Sequence, residues 1–246
     1  MDRQHILLLG ATGASGLAFL DVISELAQKP KLTLYVRPSS ATKLPPWTTS
    51  NSGIRVMEGS LENKEALRTA FSPSEDKSFP AVTTVISFLG AYLSLQAVLT
   101  RDQSHPIADA FQHAILPAVK DCKVSRILVL STPTAFCLPE ERKKMSWKWW
   151  FYTMIPLLFA PQGNAEMKGI AEAVIKAGAK HDQLEWTVFR VPHLKNDDPY
   201  AKVIAGRLDR TFEGGTDLSR ASLVRWVLRE VEEKHWVRRA PLLGNA

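Results

Sequence analysis

The sequence predicts an α/β protein built on a doubly wound parallel sheet, and three observations carry that expectation. Four consecutive apolar residues, Ile6 to Leu9, are too few for a helix and suit a strand buried on both faces. Glycines at 10, 13 and 16 follow, and then apolar positions 17, 19, 20, 23 and 26 recur at helical spacing. Strand-like and helix-like stretches go on to alternate six times, with no internal repeat, low-complexity tract or linker. A chain of 246 residues of this kind is expected to form one domain, 1–246, with a small substrate-side appendage.

The first turn carries the chemistry. Gly10 permits a tight turn, Gly13 lets the backbone approach a pyrophosphate, and Gly16 lets helix and strand pack closely. Free N–H groups at the helix start then hold the anion. The spacing is G-x-x-G-x-x-G, not the G-x-G-x-x-G of ordinary dehydrogenases. Its place after a buried strand and before a helix favours a bound dinucleotide over a ligand-free turn.

Each later element has its own signal. Lys31–Arg37 alternates as a second strand, whose end faces the adenosine ribose in a Rossmann unit. An acid there would bind a ribose 2′-hydroxyl, and an arginine accommodates a 2′-phosphate. The chain has Arg37, then Ser39, Ser40 and Lys43, with no acid nearby, so NADP (as NADPH) is expected in preference to NAD. Ile54–Met57 reads as strand three, leading to Ser60 and Leu61, and Lys64–Phe71 as a helix. Val82–Phe88 reads as strand four, closed by Leu89 and Gly90, which are expected to meet the cofactor through their backbone. A helix over Ile107–Lys120 precedes strand five, Arg126–Leu130, which ends in Ser131 and Thr132. Hydroxyls there are placed to bind substrate, although both residue types are also common in loops. Glu166–Ala177 reads as a helix, Leu184–Val191 as strand six followed by Pro192 and His193, and Val203–Ile204 as a short strand. Gly214-Gly215 reads as a turn and Ser222–Glu232 as the last helix, capped by Asp217 or Ser219.

Residues 137–163 read as the least regular part and as an aromatic, lid-like insertion. Met145–Phe159 holds three of the seven tryptophans and is interrupted by Pro156, too short and too broken to span a bilayer. A substrate lid or subunit interface is favoured there, with a membrane-surface helix as the other reading, Arg142, Lys143 and Lys144 lying close by. The net charge of +6 comes from scattered lysines and arginines, which argues against a nucleic-acid partner and for a surface suited to an anionic cofactor. Two cysteines, Cys122 and Cys137, offer neither metal-ligand spacing nor a disulfide framework, so no metal is expected. The opening residues do not read as a signal peptide, and a cytoplasmic protein is expected, either monomer or homodimer.

GATGASG at 10–16, YVRPSS at 35–40, FLG at 88–90, STP at 131–133 and FRVPHL at 189–194 together resemble the atypical, or extended, short-chain dehydrogenase/reductases. The branches most similar are the NmrA-like NAD(P)-binding proteins and the flavin reductase/biliverdin-IXβ reductase type. That resemblance implies a Rossmann fold with NADP(H) along the strand ends. It implies Gly10, Thr12, Gly13, Ser15 and Gly16 around the pyrophosphate, and Arg37 with Ser39 or Ser40 at the 2′-phosphate. Ser60 and Leu61 would border the adenine, and Leu89 and Gly90 the ribose on the nicotinamide side. Ser131 or Thr132 would fill the position of the flavin reductase's active-site serine, and Pro192 and His193 its Pro-His pair.

One departure matters. Standard short-chain dehydrogenases use Tyr-x-x-x-Lys, the tyrosine giving a proton to the carbonyl while the lysine lowers its pKa. None of the tyrosines here, 35, 92, 152 and 200, has a lysine four residues on. Lys168 is the nearest substitute for the lysine, or else it pairs with Glu172 on a solvated face. His193 is the other candidate proton donor, since an imidazole exchanges protons near neutral pH. The reading favoured by the sequence is an NADPH-dependent oxidoreductase that passes hydride to a small organic carbonyl, enone or flavin-like acceptor. A redox-neutral isomerase or cyclase retaining NADP, and an NmrA-like NADP-sensing regulator, stay open beside it.

Overall fold

In the computed structural model the first strand, β1 (His5–Leu9), is buried along its whole length. It lies inside an eight-stranded sheet of order β3-β2-β1-β4-β5-β6-β10-β8. The described residues are 4–90, 105–138 and 140–246, with Arg142 described by its backbone alone; Tyr92 lies outside them. β2 (Lys31–Val36) and β4 (Thr84–Ser87) flank β1 in parallel register, and β3 (Ile54–Glu58) forms one edge. β5 (Arg126–Ser131) and β6 (Glu185–Arg190) continue the parallel order. β10 (Leu242–Asn245) pairs in parallel with β6, and β8 (Val203–Gly206) closes the far edge antiparallel to it. The apolar runs are central because a parallel strand covered on both faces has no solvent side.

Helix α1 (Ala14–Glu25) packs beside α9 (Arg220–Glu233). Ser219 caps α9, its hydroxyl accepting from the Ser222 N–H. Between these come the short α2 (Trp47–Ser50) and α3 (Lys64–Phe71). α4 (Pro106–Ala110), a π turn (Phe111–Ile115) and α5 (Leu116–Asp121) run on as one helical stretch. The π turn sits where Pro117 lacks an N–H and its ring would strike the carbonyl of His113, so the backbone widens to let the helix continue. The buried Glu166 caps α4 from a distance, its carboxylate accepting from the Ile107 and Ala108 amides at 2.7 and 3.2 Å.

The structure corrects the reading of residues 137–163 as the least regular part. They hold α6 (Glu141–Lys144), α7 (Trp147–Phe159) and the start of α8 (Pro161–Lys180). Pro156 lies within α7 without ending it, because three residues follow it and the Ala160 N–H returns to the Pro156 carbonyl at 3.0 Å. α8 starts five residues before the expected Glu166, with Pro161 in its first turn, where no N–H is needed. Three strands went unforeseen: β10, and the parallel pair β7 (His193–Lys195) and β9 (Asp217–Ser219), which stand as a separate two-stranded sheet.

Candidate functional site

The loop between β1 and α1 has the geometry its glycines suggest. Gly10 has φ +82°, and a Cβ there would lie 3.0 Å from the Leu89 nitrogen and the Phe88 carbonyl carbon. At Gly16 a Cβ would stand 2.1 Å from the Gly10 oxygen, so only hydrogen lets α1 start this close to β1. Gly13 is the N-cap of α1 with no side-chain cap, and the first turn holds no acid. The amides of Ala14, Ser15 and Gly16 therefore lack intrahelical acceptors and remain for an anion. Thr12, Gly13 and Ser15 are part-exposed around this opening.

The carboxyl ends of the neighbouring strands extend this opening on both sides. At the β2 end, Arg37 and Ser39 are exposed, while Ser40 is buried in the 3-10 turn Pro38–Lys43. Among the described residues the Arg37 guanidinium faces no carboxylate. Beside it, Gly59 N–H donates to the Val36 carbonyl at 2.9 Å, and the Tyr35 hydroxyl donates to the Ser60 carbonyl at 2.8 Å. Tyr35 thus fixes the turn bearing Ser60 and Leu61, and a Cβ at Gly59 would strike its hydroxyl at 2.2 Å. Sequence reading passed over Tyr35 because its contact becomes visible only once β2 and β3 pair.

Toward the other side, Gly10 abuts Leu89, and a Cβ at Gly90 would meet the Met167 sulfur at 3.5 Å. Met167 in turn accepts the Ser131 hydroxyl on its carbonyl at 2.8 Å. Ser131 is fully buried, so that hydroxyl serves the packing of α8 on β5. Thr132, one residue on, is part-exposed. Its Oγ1 lies 2.7 Å from Thr134 Oγ1, which donates to Asn164 Oδ1 on the first turn of α8. With that orientation Thr132 donates inward and keeps its lone pairs for a ligand; turning the Asn164 amide over reverses the donors and makes Thr132 a proton source. Asn164 stands four residues before Lys168, the interval that separates tyrosine and lysine in standard short-chain dehydrogenases. That interval was the signal by which the sequence could have found it.

Lys168 takes the course of a solvated side chain. Its Nζ lies 3.4 Å from Glu172, and it lines a groove of about 330 Å³ with Ala135, Cys137 and Glu172 on the flank of α8. Burial pushes the Cys137 thiol up to about 11, so at neutral pH it is no thiolate nucleophile. Val191 N–H donates to the Ser131 carbonyl at 2.9 Å, which brings the ends of β5 and β6 together, and Pro192 is buried beside them. His193 is not gathered into this cluster. Its exposed ring is held 3.1 Å from Asp217 across the β7–β9 pair, and Lys195 reaches the same carboxylate at 2.7 Å. Lys195, chiefly, keeps the Asp217 carboxyl below its ordinary range.

Arg190, also unforeseen, closes the end of β6. It is fully buried, forms a two-pronged pair with Glu141 at 2.6 and 2.9 Å, and donates to the Ala135 and Ala240 carbonyls. Glu141 in turn accepts from the Cys137 and Leu138 amides. The loop after β5 is thereby tied to the C-terminal strand.

A glycine turn, an uncapped helix start and a row of strand ends constitute a nucleotide cleft, and comparison with known proteins agrees. A model of the NAD(P)H-binding family matches residues 10–234. The chain belongs to that family. Among solved structures, this NAD(P)H-binding protein is similar to a wide-type short-chain dehydrogenase/reductase from Veillonella parvula in complex with NADP. They share 16% identity and a TM-score of 0.65, covering 98% of this chain and 94% of that one. It is likewise similar to ChuY, an anaerobilin reductase from Escherichia coli O157:H7, at 17% identity and TM-score 0.66, covering 98% and 97%. A third is the oxidoreductase ylbE from Lactococcus lactis, at 13% and 0.64, covering 99% and 91%. A search of curated proteins gives no match. At these identities the likenesses establish the Rossmann-type fold.

Proposed function

We propose that this protein is an NADPH-dependent reductase of the atypical short-chain class, acting on a small organic carbonyl, enone or flavin-like acceptor. The observation that carries the reading is the exposed Arg37, without a carboxylate partner among the described residues, on the same row of strand ends as the uncapped N-terminus of α1. One offers a guanidinium for a 2′-phosphate and the other free amides for a pyrophosphate. Thr12 and Ser15 add hydroxyls to the diphosphate, Ser39 flanks Arg37, and Ser60 and Leu61 border the adenine. Ser40, buried, supports that turn. Leu89, Gly90 and Pro192 form the wall toward the nicotinamide end. The nicotinamide supplies the hydride when bound. The chain's own task is to orient the acceptor and give it one proton, which we assign to Thr132 in the arrangement where the Asn164 amide donates to Thr134 and Thr134 to Thr132, solvent restoring the proton afterwards. His193, beside Asp217, and Lys168, beside Glu172, both face solvent and are left at the margin of this scheme. ChuY and the Veillonella protein, a reductase and an NADP complex, support the same reading.

The test follows oxidation of NADPH by quinones, enones and free flavins. Turnover with NADPH well above that with NADH is expected, and R37A should weaken NADPH about 10- to 100-fold while leaving NADH nearly unchanged, the value of one or two charge-assisted hydrogen bonds. T132V should lower kcat about tenfold or more with the same NADPH affinity. No acceptor-dependent oxidation across that panel would overturn the reading.

A further inference from the structure

The outer face of α7 is at odds with the rest of the surface. Of the eight large hydrophobic side chains exposed among the described residues, six lie on this one helix: Trp147, Trp150, Phe151, Ile155, Leu158 and Phe159. Their spacing puts all six on one side of the helix. Trp147 is 77% exposed and Leu158 71%, so the stripe is bare along its whole length. Nor is it a helix turned the wrong way. The opposite side buries Trp149 completely against Leu208 and Leu242, in edge contact with Tyr152 and Phe212, and buries Thr153. Rolling α7 to hide the stripe would expose that second core.

We propose that this face seats the protein on an anionic lipid surface. Charge decides the occupant. No acid occurs from residue 142 to 165, whereas Lys143 and Lys148 are exposed, and Arg210 lines a groove with Met145, Trp147 and Trp150. Lys144 is offset by its pair with Glu140. A second copy docked through a two-fold axis would press this patch on itself and bring Lys148 and Arg210 toward their equals. Lipid phosphates instead neutralise them. Trp147, Trp150 and Phe151 already pack ring on ring, with centroids 5.0 to 6.1 Å apart. The two tryptophans, apolar rings with one N–H each, favour the headgroup boundary, and Phe151 adds apolar area below it. At 13 residues α7 is about 20 Å long, short of a bilayer's apolar thickness, and suits a helix lying in the plane of the interface. No helix among the described residues is long and apolar enough to cross a membrane.

The full chain should co-sediment with phosphatidylcholine vesicles holding about a third phosphatidylserine, far less with pure phosphatidylcholine, and release as salt rises. Tryptophan emission should shift to the blue on binding. The triple variant W147S/F151S/L158S should lose vesicle binding about tenfold or more. It should keep the far-ultraviolet circular dichroism and unfolding midpoint, since all three side chains are exposed. K148E/R210E should lose the preference for anionic vesicles. The proposal is overturned if neither vesicle pulls the protein down, or if the triple variant sediments as the parent does. A dimer in sedimentation equilibrium that the triple variant dissolves would also overturn it and assign the face to self-association.

Discussion

His5 shows how much a single side chain can settle. It is fully buried in β1, with Nδ1 on the Pro80 carbonyl and Nε2 2.8 Å from the Thr33 hydroxyl. A carbonyl only accepts, so Nδ1 carries the hydrogen. Thr33 accepts from Arg55 Nε at 3.0 Å and gives its own proton to Nε2. The ring is thus satisfied as the neutral tautomer. Burial, helped by Arg55 and Lys31 and opposed by the Pro80 bond, lowers its pKa from 6.5. The unfolded chain then binds the extra proton first, so stability is complete above 6.5 and declines as pH falls from there toward the folded value. Urea titrations between pH 7 and 5 should show this loss in the parent and a flatter profile in His5→Gln, from a lower starting stability. Residues whose role lies in their own covalent form were readable beforehand, Gly10 and Gly16 by the missing Cβ. Tyr35, Asn164 and Arg190 were not, because each acquires its role from a partner distant in sequence, 49 residues away for Arg190 and Glu141.

Among elements, the same contrast separates strands from strands. β1, β4 and β5 announce themselves by runs of apolar residues, because both of their faces are covered. β7 and β9 are three residues each and exist through their mutual pairing, so no periodicity marks them. In α7 the proline misled, since a proline near the end of a helix forfeits one hydrogen bond without stopping it. The loop from β5 to α6 is held by the buried Arg190–Glu141 pair, and removing one partner strands the other charge. Glu141→Gln should cost about 3–5 kcal/mol in denaturant unfolding. The double variant R190M/E141L should recover little of that, because the Cys137 and Leu138 amides and the Ala135 and Ala240 carbonyls would lose their partners. A double-mutant cycle with a coupling near zero would show that the two side chains act independently.

For the whole molecule, the sheet directs every parallel strand to one side, so the carboxyl ends of β1, β2, β4, β5 and β6 share a single cleft. A nucleotide lying across that row touches most of the domain and must stabilise it as one body. At a hundred times its dissociation constant NADPH should add about 2.7 kcal/mol. For a chain of this length that raises Tm by roughly 5–10 °C in scanning calorimetry, with NADH at equal concentration giving clearly less. The α/β class was legible from the alternation, and the glycine turn between β1 and α1 pointed to its open, doubly wound form. What the alternation could not convey was which face of α7 meets the interior.

Only Ala160 separates α7 from α8, and it is bonded to both sides, its amide to Pro156 and its carbonyl to the amide of Asn164 at 2.9 Å. The two helices therefore meet in an elbow one residue long. The exposed stripe lies on one arm, and the carboxamide bonded to Thr134 lies on the first turn of the other. Should both proposals hold, adding anionic vesicles should change the turnover of a water-soluble acceptor in the parent and leave W147S/F151S/L158S unaffected.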